Sequence, residues 1–237
     1  MSEKFKRQIK ELGIELSDLQ FEQFEKYYKL LVEWNEFMNL TAITEYEEVY
    51  EKHFLDSLAV VKAIDMNEVE SVIDIGTGAG FPGIPLKIAF PHLKIVLLDS
   101  LNKRIKYLNT VVDELNLENV ETLHGRAEDH AKKAEYREQF DLCVSRAVAN
   151  LATLSEYCLP YVKVDGNFIS YKSGEITGEA EEAKKAVSIL GGNVKKIKKF
   201  LLPESDITRS FVVIEKKKTT PKKYPRKAGT PSKEPIK

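Results

Sequence analysis

Apolar positions recur in two rhythms along this chain, and the change of rhythm divides it. Leu19, Phe24, Tyr27, Tyr28, Leu31, Trp34 and Met38 follow at helical spacing, which predicts a helix with one apolar, aromatic face. Ser17 or Asp18 is its expected N-cap, and Asn39-Leu40-Thr41 interrupts it. A further helix is predicted from about Glu47 to Ala63, with Val49, Phe54, Leu58 and Val61 inward. From Val69 short apolar runs alternate with helical stretches. Strands are predicted at 71–75, 94–98, 120–124, 140–145, 166–171, 194–200 and 210–215, and helices at 83–90, 102–115, 151–158 and 179–190. This alternation predicts a doubly wound α/β fold, Rossmann-like, with a mostly parallel seven-stranded sheet. Only loop-like residues, 201–206, separate the last two strands, so they should form a hairpin with one strand antiparallel. The expected organisation is a helical extension over 1–65, the sheet domain over 66–215 and a tail over 216–237.

The first strand leads into the most informative stretch, Asp74-Ile75-Gly76-Thr77-Gly78-Ala79-Gly80-Phe81. Glycines there allow a sharp turn and let a ligand approach bare backbone. A carboxylate beside the turn suits a cationic or hydroxyl-rich ligand better than a pyrophosphate. S-adenosylmethionine, with sulfonium and ammonium charges and no phosphate, has that character. Asp99, at the end of the second strand and 23 residues after Gly76, can accept hydrogen bonds from both hydroxyls of a ribose. Phe81 stands where a dinucleotide fingerprint would carry its third glycine. After the third strand, backbone N–H groups of Ala127 or Glu128 could meet an adenine ring, and Glu128 or Asp129 could accept from its amine. Arg146 ends the fourth strand, where a methyl acceptor would sit. It could bond the cofactor carboxylate, a phosphate or the O6 edge of a guanine.

Several chemistries lack their residues. No Asn/Asp-Pro-Pro-aromatic signature for amino methylation is present, and Cys143 and Cys158 read as structural thiols rather than nucleophiles. His53, His92, His124 and His130 are dispersed, so no metal is assigned, and His53 reads as a packed or hydrogen-bonded helix residue. Without a signal-peptide pattern or a membrane-length apolar run, a cytoplasmic location is expected. Net charge is −1, but from Lys216 onward nine Lys/Arg face one acid, Glu234. That segment is therefore +8 and the remainder −9. A basic tail on an acidic body is the asymmetry of a protein that meets a polyanion. Its prolines make a regular helix or strand unexpected there.

Taken together, these motifs resemble the bacterial ribosomal RNA small-subunit methyltransferase G family, also called glucose-inhibited division protein B. The resemblance rests on Asn39-Leu40-Thr41, on His53 with Asp56-Ser57-Leu58, and on the run from Asp74 to Pro85. It continues through Leu98-Asp99-Ser100, Lys103-Arg104, Arg126-Ala127-Glu128, Ser145-Arg146-Ala147 and Arg226-Lys227-Ala228-Gly229-Thr230-Pro231. It implies methyl transfer from S-adenosylmethionine to N7 of a guanine in 16S ribosomal RNA, in the decoding region. By motif, the cofactor contacts fall on Gly76, Phe81, Ala127, Glu128 and Arg146; the residue reading adds Asp74, Gly78 and Asp99. Arg146 is also the candidate for orienting the acceptor, with no general base or covalent nucleophile expected. Lys103, Arg104, Lys172, Lys222, Lys223, Arg226 and Lys227 are the candidate RNA contacts. The expected partner is 16S ribosomal RNA or the small ribosomal subunit, met by a monomer, with no membrane or metal. Alternative readings are a non-catalytic RNA-binding protein on the same fold and a nicotinamide-dependent reductase.

Overall fold

Strand order explains why the ligand-facing residues gather at one rim. In the computed structural model, seven strands form one sheet in the order β3-β2-β1-β4-β5-β7-β6. They are β1 (Ser71–Ile75), β2 (Lys94–Asp99), β3 (Val120–His124), β4 (Phe140–Arg146), β5 (Val162–Ser173), β6 (Gly192–Leu201) and β7 (Thr208–Lys216). All neighbours are parallel except β7, which runs antiparallel to both β5 and β6. The order reverses between β1 and β4, so a crevice opens beyond the carboxyl ends of those strands. Residues 2–146 and 148–236 are described; Ala147 of the strand-end motif, Met1 and Lys237 lie outside the described residues.

The helices are α1 (Glu3–Glu11), α2 (Asp18–Met38), α3 (Tyr46–Val49), α4 (Asp56–Leu58), α5 (Gly83–Ala89), α6 (Asn102–Glu114), α7 (Ala127–His130), α8 (Leu151–Cys158), α9 (Thr177–Ile189) and α10 (Thr230–Lys233). Ser17 caps α2 in a reciprocal box with Gln20, satisfying two otherwise orphaned backbone donors. Asn39 ends it at φ 49°, a left-handed position that Asn tolerates, so the sequence break at Asn39-Leu40-Thr41 is a genuine stop. Phe24, Tyr27 and Leu31 are fully buried, whereas Leu19 is 64% exposed and leaves the predicted stripe. The helix predicted from Glu47 forms, but not uniformly: α3 passes through a π turn (Tyr50–Leu55) into α4 and a 3-10 turn (Ala59–Lys62). π turns occur often at functional sites, and this one carries Lys52 and His53.

The N-terminal helices share one core with the sheet. Phe5, Phe24, Tyr50 and Phe54 pack edge-to-face or tilted at 4.9–6.5 Å between centroids, Tyr27 stacks on Phe54 at 5.2 Å, and Phe54 reaches Phe81 at 6.0 Å. Tyr27 also donates its hydroxyl to the Ala79 carbonyl at 2.5 Å, tying α2 to the glycine turn.

The tail departs from the sequence reading. It contains the short helix α10 and lies against the domain instead of in solvent. Lys216 is wholly buried, pairs with Glu138 and donates to the Leu159 and Val162 carbonyls. Arg137 donates to the carbonyls of Thr220 and Tyr224.

Candidate active site

The glycine turn is built by two acids. Asp74, one residue before the end of β1, is fully buried, and its Oδ2 accepts from the Thr77 hydroxyl at 2.7 Å and the Gly83 N–H at 2.9 Å. Its Oδ1 finds no hydrogen-bond partner among the described residues. Burial raises this carboxyl to about 7, against the lowering effect of its two bonds. Asp74 thus lies beneath the turn and shapes it, rather than standing in open space. Gly76, at φ +71°, has no room for a side chain: a Cβ would lie 2.6 Å from Val148 Cγ2. Gly78, at φ +62°, faces open space, the bare approach that a ligand needs.

Titration of Asp74 gives a direct test. Between the unfolded carboxylate range and about 7, the folded chain holds a proton that the unfolded chain has released. Its stabilising contribution is therefore complete at acid pH and is lost as pH rises through about 7, by at most ~1.4 kcal/mol per unit. His53 works in the opposite sense, so the comparison must be a difference. Asp74→Asn should gain on the wild type in urea unfolding as pH rises from about 5 to about 8; a constant difference would show that Asp74 does not titrate there.

Asp99 is the second acid. Its Oδ2 accepts from Gly78 N–H at 3.0 Å and from Arg104 at 3.2 Å, and its Oδ1 accepts from Leu101 N–H at 2.9 Å. Beside it a cavity of about 250 Å³ is lined by Ile75, Gly76, Leu98, Ala127, Val148 and Tyr157, with Ser100, Gly125, Arg126, Glu128, Ala149 and Ser232. Apolar walls with backbone N–H groups at one edge suit a purine. Glu128 is buried, and its Oε1 already accepts from Gly229 N–H of the tail at 2.8 Å.

Arg146 occupies a different pocket, of about 350 Å³, with Lys52, His53, Asp56, Tyr171, Lys172, Ser173 and Arg209. It donates to Asp56 Oδ2 at 2.9 Å and to the Lys52 carbonyl at 3.2 Å, and its guanidinium lies 5.0 Å from the Phe81 ring centroid. Arg209 takes the other Asp56 oxygen at 2.7 Å. His53 stacks on Phe81 at 4.5 Å and accepts at Nδ1 from Arg146, so its proton sits on Nε2 and is donated to Thr41 Oγ1. Burial, then the Arg146 charge, lowers its pKa to about 3, so the ring is neutral.

The RNA candidates divide. Lys222, Lys223 and Lys227 are exposed. Arg226, also a candidate RNA contact, has its guanidinium engaged inward, forked onto the wholly buried carboxylate of Glu156 at 2.7–3.1 Å. Arg104 is held at the cofactor side by Asp99, and Lys103 donates to the Met38 carbonyl. Lys172 donates to the Ala149 carbonyl and Glu179, while lining the Arg146 pocket. Sequence reasoning assigned no role to Asp56, Lys52 or Arg209. Their convergence joins the π turn, β4 and β7, and no local spacing announces it. Both cysteines are buried, and burial pushes the Cys143 thiol up, away from the thiolate form.

Comparison with known proteins agrees with this geometry. Residues 20–208 match the family model described as rRNA small subunit methyltransferase G. The chain belongs to that family. A ribosomal RNA small subunit methyltransferase G from Lachnoclostridium phytofermentans is 56% identical over 228 residues, covering 96% of this chain and 94% of its own. One from Brevibacillus brevis is 55% identical over 234 residues, with 99% and 98% covered. Among solved structures, M. jannaschii TYW2 in complex with AdoMet superposes with a TM-score of 0.53 at 17% identity, covering 73% of this chain and 77% of that one. The mitomycin 7-O-methyltransferase MmcR gives 0.53 at 15%, covering 69% and 53%. At such identities these structures share the fold with this family member and no more.

Proposed function

We infer that this chain transfers a methyl group from S-adenosylmethionine to N7 of a guanine in 16S ribosomal RNA. Membership of the family, at 55–56% identity over nearly the whole chain, carries the inference. The residues present fit the donor. Asp99 offers lone pairs to a ribose, Gly78 leaves the approach open, and Asp74 holds the turn from below through Thr77 and Gly83. Bound there, S-adenosylmethionine supplies a methyl carbon made electrophilic by its sulfonium.

Guanine N7 keeps a free lone pair, so the chain needs to orient and dehydrate it rather than remove a proton. The acceptor pocket is built that way. His53 is neutral with both ring nitrogens engaged, and Asp56 is held by two arginines, so neither is poised as a base. Arg146 and Arg209 offer donors to O6 or a flanking phosphate, and the buried Phe81 ring supports His53 and Arg146 from behind. Holding the partners in line can contribute roughly 7–11 kcal/mol of barrier reduction. The reading places the protein in the cytoplasm, acting as a monomer.

Mapping the methylated nucleotide in ribosomal RNA from cells with and without this protein tests the reading. A guanine N7 methyl should vanish in its absence; an unchanged RNA would refute it. The rival non-catalytic reading requires that no label pass from radioactive donor to small subunits. For the RNA path, changing Lys222, Lys223 and Lys227 together to alanine should weaken RNA binding and flatten the log–log salt slope by about two to three. An unaltered slope would leave those lysines out of the interface.

A further inference from the structure

The C-terminal segment reaches the cofactor side of the molecule through a chain of specific contacts. Arg226 forks onto Glu156 with Nε and Nη2, and its backbone N–H donates to the same carboxylate at 2.8 Å. Glu156 is on α8 and has no exposure, so a carboxylate has been buried under the adenine-side cavity with its hydrogen bonds coming from the tail. A buried carboxylate without such a partner is strongly disfavoured, so this pair holds the segment in one place. Three residues on, Gly229 N–H donates to Glu128 Oε1, and Thr153 on α8 donates to the Pro231 carbonyl at 3.1 Å. Ser232 then joins the cavity wall beside Tyr157.

We propose that this segment is a strap that completes the adenine pocket, with Arg226 and Glu156 as positioning residues. The inference rests on the reading that the cavity holds the adenosine end of the donor. The strap acts through Glu128. Its Oε1 takes one backbone donor from Gly229, which fixes the carboxylate and leaves Oε2 to accept from the exocyclic amine of adenine. An anchored acceptor distinguishes a base that carries an amine from one that carries a carbonyl at the same position, because the latter offers it no proton. Arg226 touches neither the donor nor the RNA in this arrangement. Its guanidinium is fixed inward, while its neighbours Lys222, Lys223 and Lys227 remain exposed. The segment thus has an inward part that shapes the donor site and an outward part that faces solvent.

Calorimetric titration of S-adenosylhomocysteine and S-inosylhomocysteine into the full chain tests this. Wild type should prefer the adenine compound by at least about tenfold. Arg226→Ala should bind it about tenfold more weakly and lose most of that preference, while Arg226→Lys keeps an intermediate value. In turnover, the donor KM should rise with kcat nearly unchanged. Arg226→Ala within twofold of wild type, with the preference intact, overturns the proposal. Hydrogen–deuterium exchange on the unaltered protein provides a measurement that needs no variant. Saturating S-adenosylhomocysteine should slow exchange in peptides spanning 224–234, and unchanged exchange there overturns the strap. Wild type that binds no S-adenosylhomocysteine would overturn the cofactor reading beneath it, which is a different failure from a wild type that binds without using the strap.

Discussion

Replacing Asp99 with alanine is expected to weaken S-adenosylhomocysteine binding about a hundredfold, at the upper end of what one charged hydrogen bond contributes. A hydrogen bond to a charged group contributes roughly 1.5–3 kcal/mol. Here the carboxylate also anchors the site itself: Gly78 N–H, Leu101 N–H and Arg104 all donate to it. Alanine would leave the Gly78 and Leu101 amides without this partner and release the left-handed turn at Gly78. The occupancy has a further consequence. A carboxylate has about four lone-pair sites, and three donors leave too few for two ribose hydroxyls. Arg104 makes the longest of the three bonds and is partly exposed, so it is the one that must yield. Arg104→Ala should therefore bind the ligand as well as wild type or better. Titration calorimetry on both variants decides it. Unchanged affinity in Asp99→Ala would remove Asp99 from the site, and a large loss in Arg104→Ala would mean that Arg104 itself holds the ligand.

Arg146→Ala should lower kcat at least about a hundredfold while changing S-adenosylhomocysteine affinity only a few-fold, because its contacts lie on the acceptor side. The guanidinium spans four groups: Asp56, His53, the Lys52 carbonyl and the Phe81 ring. Without it, Asp56 keeps Arg209 alone in a nearly buried position, and the ring loses the cation beside it. A buried carboxylate that loses one of two partners is costly, roughly 3–5 kcal/mol for a broken buried pair, so the pocket should also rearrange. Arg146→Lys should recover little, since an ammonium cannot fork between Asp56 and His53. Steady-state kinetics with methyl-deficient small subunits, alongside ligand titration, separates the two roles. A collapse of ligand affinity with kcat preserved would move Arg146 to the cofactor.

The parts of this molecule that are written locally could be read without coordinates. Val72, Ile73 and Ile75 form a buried run that stops at glycines, and that is a strand entering a turn in any context. The hairpin of β6 and β7 followed from a loop too polar and too short to hold a helix. The position of Asp99 beside the glycine turn was legible because parallel strands bring their carboxyl ends to one rim. What escaped was written across distance. Arg209 meets Asp56 across 153 residues, and Arg226 meets Glu156 across 70. In the sequence Glu156 is one acid in a short helix and Arg226 one cation in a basic run, and a basic run ordinarily means a solvated one. Charge counting therefore gave the correct sign for the tail and missed its packing. Leu19 shows the reverse error: helical spacing put it on the buried face, but it lies in the first turn of α2, where little packs against it.

The reversed direction of β7 has a consequence for when this protein becomes competent. Parallel strands alone would deliver their first residues to the opposite rim, and Arg209 would stand far from Arg146. Running backwards, β7 brings its second residue to the place where β4 ends. The final strand thus closes a pocket begun by the helical turn near residue 53. A nascent chain that has emerged only as far as β5 would own a complete glycine turn and half an acceptor pocket. It would have to wait for its last few dozen residues to leave the ribosome before it could modify one.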